Sequence, residues 1–309
     1  MPATPPRSRS SDRNVHAVLR AIVEPGFFSS SSVGLAALIG GIAAVVAGGV
    51  GVFTVIRGQA FAGEALGDIG AAGGSSAYLV GAQALWGFIG AAVAAAGVME
   101  AIGIQRARGR DLATGIVLGA GFGLAALFLY LGTTYHNTTG ATVTILFGSI
   151  FALSSSTLPL VLLFGAIALG TVLALYRPLL LSSVSPELAA ARGLSVRLIG
   201  ALYLVAMALA VALCAVTIGA ILSTALLVGP AATAFQLSSR PSRAIVTAGL
   251  LGVGAMWLGI LLAYDSYYWP PLHQSWPVSF FVVTIVFVIY LLSGVPAWRE
   301  RRRANRATG

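Results

Sequence analysis

Residues Ser182 to Arg197 read S-S-V-S-P-E-L-A-A-A-R-G-L-S-V-R, a short polar stretch set between two long apolar runs. Both ends of a helix are written in it. Ser185 is an N-cap whose hydroxyl can accept from a free backbone N–H, and Pro186 takes the first helical position, where a missing N–H costs nothing. Glu187 sits at the positive end of the helix dipole, Arg192 at the negative end, and Gly193 supplies a left-handed stop. The spacing predicts a helix of about two turns over 186–192, too short to be stable alone. With apolar segments on both sides, it lies against a membrane surface and offers one face to a partner.

The flanking runs set the class of the molecule. Of 309 residues, 58% are hydrophobic and only 9% charged, with a mean hydropathy of +0.92, where a soluble domain carries roughly 25% charge. Apolar segments of about 20 residues, mixed with Gly and Ala, recur along the whole length, which predicts an all-α membrane protein, a polytopic helical bundle in a lipid bilayer. The weak alternating signal of a barrel is absent.

The formal charge is +9, and every basic residue is an arginine. Without lysine there is no Walker A loop, so ATP-driven work has to come from another subunit. The arginines cluster at 7–20, 106–110, 192–197, 240–243 and 299–306. Placed between spans, they mark cytoplasmic loops under the positive-inside rule and do not indicate a nucleic-acid partner. Cys214, the single cysteine, lies in an apolar run and is expected to be a packed thiol.

In chain order, residues 1–32 are expected to be a disordered or interfacial segment, Pro-, Ser- and Arg-rich at first and amphipathic over 15–28. A membrane domain over 33–295 follows, and then a basic cytoplasmic tail over 296–309. Spans are expected at Val33–Ile56, Ser76–Ile102, Leu112–Leu131, Leu158–Tyr176, Leu198–Val216, Ile218–Leu237, Ala244–Ala263 and Pro277–Leu292. Ile145–Leu153 is too short to cross, so it is interfacial or re-entrant. Ala60–Gly74, A-F-A-G-E-A-L-G-D-I-G-A-A-G-G, is too polar for an ordinary span and too rich in small residues for a surface loop. It is expected to be a helix packed inside the bundle. The count is eight crossings without it and nine with it. Eight place the N-terminus inside, in agreement with its arginines, and nine place it outside.

Within the internal segment, Glu64 and Asp68 are four apart, so a helix puts both carboxylates on one face. Buried carboxylates are costly unless paired, and the nearest arginine, Arg57, is almost two turns before Glu64. A passing cation would supply the missing charge. The remaining candidates are scattered: His16 is in the N-terminal segment, while His136, His273 and Asp265 fall in or beside outer loops, where they could meet an ion at the outer mouth. No G-x-S-x-G, H-E-x-x-H or paired-cysteine motif appears, so no enzymatic chemistry has visible residues.

Four stretches fall in the order seen in the ABC-3 family of metal-ion permeases: G-R-D-L-A-T-G-I at 109–116, L-F-G-S-I at 146–150, the 182–197 segment, and T-I-G-A-I-L-S-T-A-L-L-V-G-P-A-A-T-A at 217–234. The chain resembles that family over about 33–295. The resemblance implies a type II ABC-importer-like fold of 8–9 transmembrane helices in a bacterial plasma membrane. It also implies a second permease protomer, a separate ABC ATPase subunit and an extracytoplasmic metal-binding protein. A divalent ion, manganese, zinc or iron, would be transported with no permanently bound cofactor. The coupling helix at about 185–193, with Pro186, Glu187, Arg192 and Gly193, would contact the ATPase. Where the family commonly reads G-D-A-L-S-H-A, this chain reads G-E-A-L-G-D-I at 63–69, so the family's acid is carried onto Glu64 and its histidine onto Asp68. Oxygen-only ligands favour manganese or iron over zinc. The rival reading is a secondary transporter driven by an ion gradient, for which buried carboxylates are also expected.

Overall fold

The structure is a computed structural model that describes residues 30–103, 107–136, 139–238, 240–268 and 276–307. Among them there is no strand, and twelve α-helices follow one another. They are α1 (Ser31–Ile56), α2 (Ala60–Leu79), α3 (Ala84–Ile102), α4 (Ala107–His136), α5 (Thr139–Phe147), α6 (Leu158–Ala174), α7 (Tyr176–Val184), α8 (Pro186–Ala191), α9 (Val196–Ile218), α10 (Ala220–Leu237), α11 (Pro241–Asp265) and α12 (Val278–Ala307). The expected N-terminal segment, His16, His273 and the Arg106 turn lie outside the described residues.

Seven helical segments are long and apolar enough to cross a membrane, in α1, α3, α4, α6, α9, α10 and α11, and Val278–Gly294 of α12 is a shorter apolar helix. The all-α polytopic bundle read from composition is therefore the observed fold. The core is centred on α9, where Tyr203, Leu204, Met207 and Leu213 are fully enclosed, and Cys214 is buried there as well.

α2 is the internal helix. Its 20 residues extend about 30 Å. It packs chiefly between α3 and α4, with α9 and α10 on its other side, and Ala62, Ala65, Leu66, Gly67 and Asp68 are buried. Small residues permit this density. Gly73 and Gly87 face each other across the α2–α3 crossing so closely that a Cβ on either would overlap the other's carbonyl.

Two expectations need correction. Ser76–Ile102 is not one span: α2 runs on to Leu79, Gly81 adopts φ +73°, and α3 starts at Ala84. Gly81 N donates to Tyr78 O and Ala82 N to Ala77 O, a Schellman closure hidden in an apolar run. The Ile145–Leu153 piece is also divided. α5 ends at Phe147, Gly148 turns with φ +79°, and a 3-10 turn covers Ile150–Ala152.

That turn meets another one. Gly219, with φ +90° and ψ 158°, separates α9 from α10. A Cβ at Gly148 would lie 2.6 Å from Gly219 N and Thr217 O, and one at Gly219 would strike the Leu146–Phe147 backbone. Two of the stretches on which the family resemblance rests, L-F-G-S-I and T-I-G-A-I-L-S, thus meet in a single backbone-on-backbone contact. Beyond it α10 continues through Pro230, which leaves the Leu226 carbonyl without its intrahelical donor.

Candidate metal site

Glu64 and Asp68 lie on consecutive turns of α2, about 6 and 12 Å along the axis from its first residue. They see different surroundings. Glu64, half-buried, lines a cavity of about 750 Å³ together with Leu118 of α4, Thr224 and Val228 of α10, and Val286 and Tyr290 of α12. Asp68 is 6% exposed and is not part of the cavity wall. Its Oδ2 has no hydrogen-bond partner among the described residues.

The backbone around Asp68 is tightly closed. A Cβ at Gly121 of α4 would lie 3.0 Å from Asp68 Cβ and 2.8 Å from Ile69 N, so α4 crosses α2 against the Asp68–Ile69 backbone. On the opposite side, Gly67 fits against Ser223 and Val211, and Gly63 against Leu227. A buried acid with a bare oxygen is expensive unless something supplies positive charge. Arg57 is not aimed at it: its Nη1 donates to Ser182 Oγ at 3.3 Å and to Ser183 Oγ at 3.4 Å, and its guanidinium lies 5.3 Å above the Tyr203 ring.

Thr224 was not singled out by the sequence reading, although it falls within the quoted 217–234 stretch. Its Oγ1 is buried without a hydrogen-bond partner among the described residues, and the residue lines the Glu64 cavity. The side chains of Glu64, Thr224 and Asp68 carry only oxygen donors, a chemistry that suits a hard divalent ion. Among the described residues no group of three His, Cys, Asp or Glu is placed to hold a metal. Asp265 ends α11 and is not part of the cavity wall. His136 is the last residue of α4.

The 182–197 stretch folds as its ends dictate. Leu188 N donates to Ser185 Oγ at 3.4 Å, Pro186 is the first residue of α8, and Glu187 is in the first turn. Gly193 has φ +76°. Gly193 N donates to Ala190 O and Leu194 N to Ala189 O, closing the C-terminus with Arg192 as the cap residue. Pro186, Glu187, Leu188 and Arg192 are exposed, while Ala189 is buried against the bundle. Leu188, 47% exposed, and Val184, 75% exposed, add apolar surface. The stretch is tied down at both ends, by Arg57 on Ser182 and Ser183 and by Arg197 Nε on Glu100 Oε1 at 3.4 Å.

Comparison with known proteins agrees with this architecture. The ABC 3 transport family model matches residues 31–294. The manganese transport system membrane protein MntC of Listeria monocytogenes is 30% identical over 257 residues, covering 80% of this chain and 85% of that protein. The protein of the same name from Halalkalibacterium halodurans is 34% identical over 228 residues, covering 72% and 75%. In structure, a chain of PsaBC from Streptococcus pneumoniae in complex with Fab superposes with a TM-score of 0.72 at 24% identity, covering 87% of this chain and 93% of that one.

Proposed function

Because the chain belongs to the ABC 3 transport family, we propose that it is the membrane-spanning permease subunit of an ATP-binding-cassette importer for a divalent transition metal. The observation that carries the metal site is Asp68: a buried carboxylate oxygen with no partner, one turn beyond a cavity-lining glutamate. The permease works as a dimer in a bacterial plasma membrane, with two ATPase subunits and an extracytoplasmic metal-binding protein that delivers the ion. The 33–295 region is the permease domain and 296–309 its cytoplasmic tail. Closure of the ATPases on ATP drives the α8 helices of the two protomers together and switches the path between outward and inward access. Manganese or iron is the ion that the oxygen donors favour, and the relatives named for manganese support the first of these.

Proteoliposomes holding the chain, its ATPase and its binding protein should accumulate manganese only when ATP is supplied. Accumulation driven by a proton or sodium gradient without ATP would instead establish the secondary-transporter reading, which family membership disfavours.

Two further outcomes follow from this assignment. Gly193→Val forces a β-branched residue into a left-handed conformation, at about 1–2 kcal/mol. With α8 unwound at its stop, ATP hydrolysis by the partner should lose its stimulation while the protein still inserts, and full stimulation would remove α8 as the ATPase contact. For topology, Ala304→Cys in a Cys214→Ala background should be labelled by an impermeant maleimide only from the cytoplasmic side. Labelling from outside would invert the whole arrangement.

A further inference from the structure

We propose that Arg57 is a positioning residue that carries movement of the coupling segment to the metal-binding helix. The inference rests on the reading of α8 as the ATPase contact and of α2 as the ion helix, and concerns what joins them.

Arg57 is the C-cap of α1. Gly58, at φ +61°, donates from its N–H to Val55 O at 3.2 Å, and Gln59 N donates to Thr54 O at 2.9 Å, a Schellman closure. Gln59 O then accepts from Gly63 N at 3.1 Å, within the first turns of α2. One residue therefore finishes one helix and begins the next, and no slack chain separates Arg57 from Glu64.

The far end of the guanidinium is equally committed. It donates to Ser182 and Ser183, the last turn of α7, immediately before the Ser185 cap of α8. Both serines are themselves anchored, each donating its hydroxyl to Leu179 O. The face of the guanidinium rests on Tyr203, worth about 0.5–2 kcal/mol. That ring is fixed by a 2.7 Å hydrogen bond between its hydroxyl and Thr54 Oγ1, and by donation to Val50 O at 3.3 Å. Tyr203 thus couples α9 to α1, and the Arg57 contacts couple both to α7.

Movement of α8 relative to the bundle pulls first on 182–185, and through the two serines on Arg57. The Gly58–Gln59 turn passes that displacement into the start of α2, about 6 Å below Glu64. The hydrogen bonds to Ser182 and Ser183 and the contact with the Tyr203 ring are each individually weak, so they can be exchanged between two arrangements at modest cost.

The test uses the complete importer in proteoliposomes, with manganese as the probe, and reads manganese uptake, ATP hydrolysis and manganese affinity together. Arg57→Gln, and separately Ser182→Ala/Ser183→Ala, should lower uptake per ATP hydrolysed by about fivefold, with ATP hydrolysis and manganese affinity unchanged. A purely structural role would lower hydrolysis and uptake in proportion to the amount of folded protein, with an unaltered ratio, and that result would overturn the proposal. If Arg57→Gln does not insert, the serine pair decides, since it leaves the charge in place. A wild-type complex that hydrolyses ATP without importing manganese would overturn the parent reading, and this one with it. An active wild type with an unchanged ratio in the variants would overturn only the role given to Arg57.

Discussion

Manganese uptake should fall by about a hundredfold or more when Glu64→Gln and Asp68→Asn are combined, equivalent to roughly 3 kcal/mol of lost interaction along the path. Both replacements keep side-chain volume and remove charge. The amount of folded protein should not fall, because a neutral amide in a closed site costs less to bury than an ionised acid without a partner. Of the single variants, Asp68→Asn should be the more severe. Its side chain is buried with one oxygen bare, whereas Glu64 borders a cavity in which water can share the load. Uptake and thermal stability measured side by side separate the two effects. Undiminished uptake in the double variant, at normal membrane levels, would mean that the ion crosses elsewhere.

The largest structural effect is expected at Gly219→Val. Gly219 has φ +90° and ψ 158°, a region that is essentially glycine-only and costs about 1–3 kcal/mol for any other residue. The added atoms would also strike the backbone at Leu146 and Phe147, and overpacking of that kind typically costs a further 1–3 kcal/mol. Together these are comparable with the net stability of many domains, which lies at about 5–15 kcal/mol. The variant should be recovered in low yield, and Cys214, fully enclosed in the parent, should become reactive to a small maleimide as the bundle loosens. A normal yield with an unreactive thiol would mean that the two turns are not held together. The same substitution at Gly90, where a Cβ meets nothing within 4 Å, should cost nothing, since valine is slightly better accepted in a helix than glycine.

Much of this was legible in advance, because the bilayer makes span length and charge placement strict requirements. α8 was readable to within a residue because its caps are local chemistry: Ser185, Pro186 and Gly193 need no distant partner to declare a start and a stop. α2 was readable in part. The pair Glu64 and Asp68 stood out against apolar surroundings, but the end of the helix did not, since between Tyr78 and Leu85 only Gly81 and a single Gln83 mark the turn. The Gly148–Gly219 contact was not readable at all. It depends on two glycines 71 positions apart meeting backbone to backbone, and neither has a side chain on which a pattern could be written. Thr224 was hidden for another reason, since a threonine in an apolar helix is ordinarily satisfied by its own carbonyl four residues back.

The size of the cavity beside Glu64 has a consequence for selectivity. At about 750 Å³ it is wider than a divalent cation with its first hydration shell, at about 30 Å³ per water, so on the proposed path a cation would reach Glu64 still hydrated. Asp68 is buried and does not border that space. On the proposed path the shell would be shed within one helical turn, between the two carboxylates. Magnesium, the smaller hard cation, gives up water reluctantly. Discrimination against it would then be set by the speed of water exchange over that turn and not by the fit of the final site. Magnesium, even in large excess, should slow the initial rate of manganese uptake only weakly, and should scarcely be carried itself.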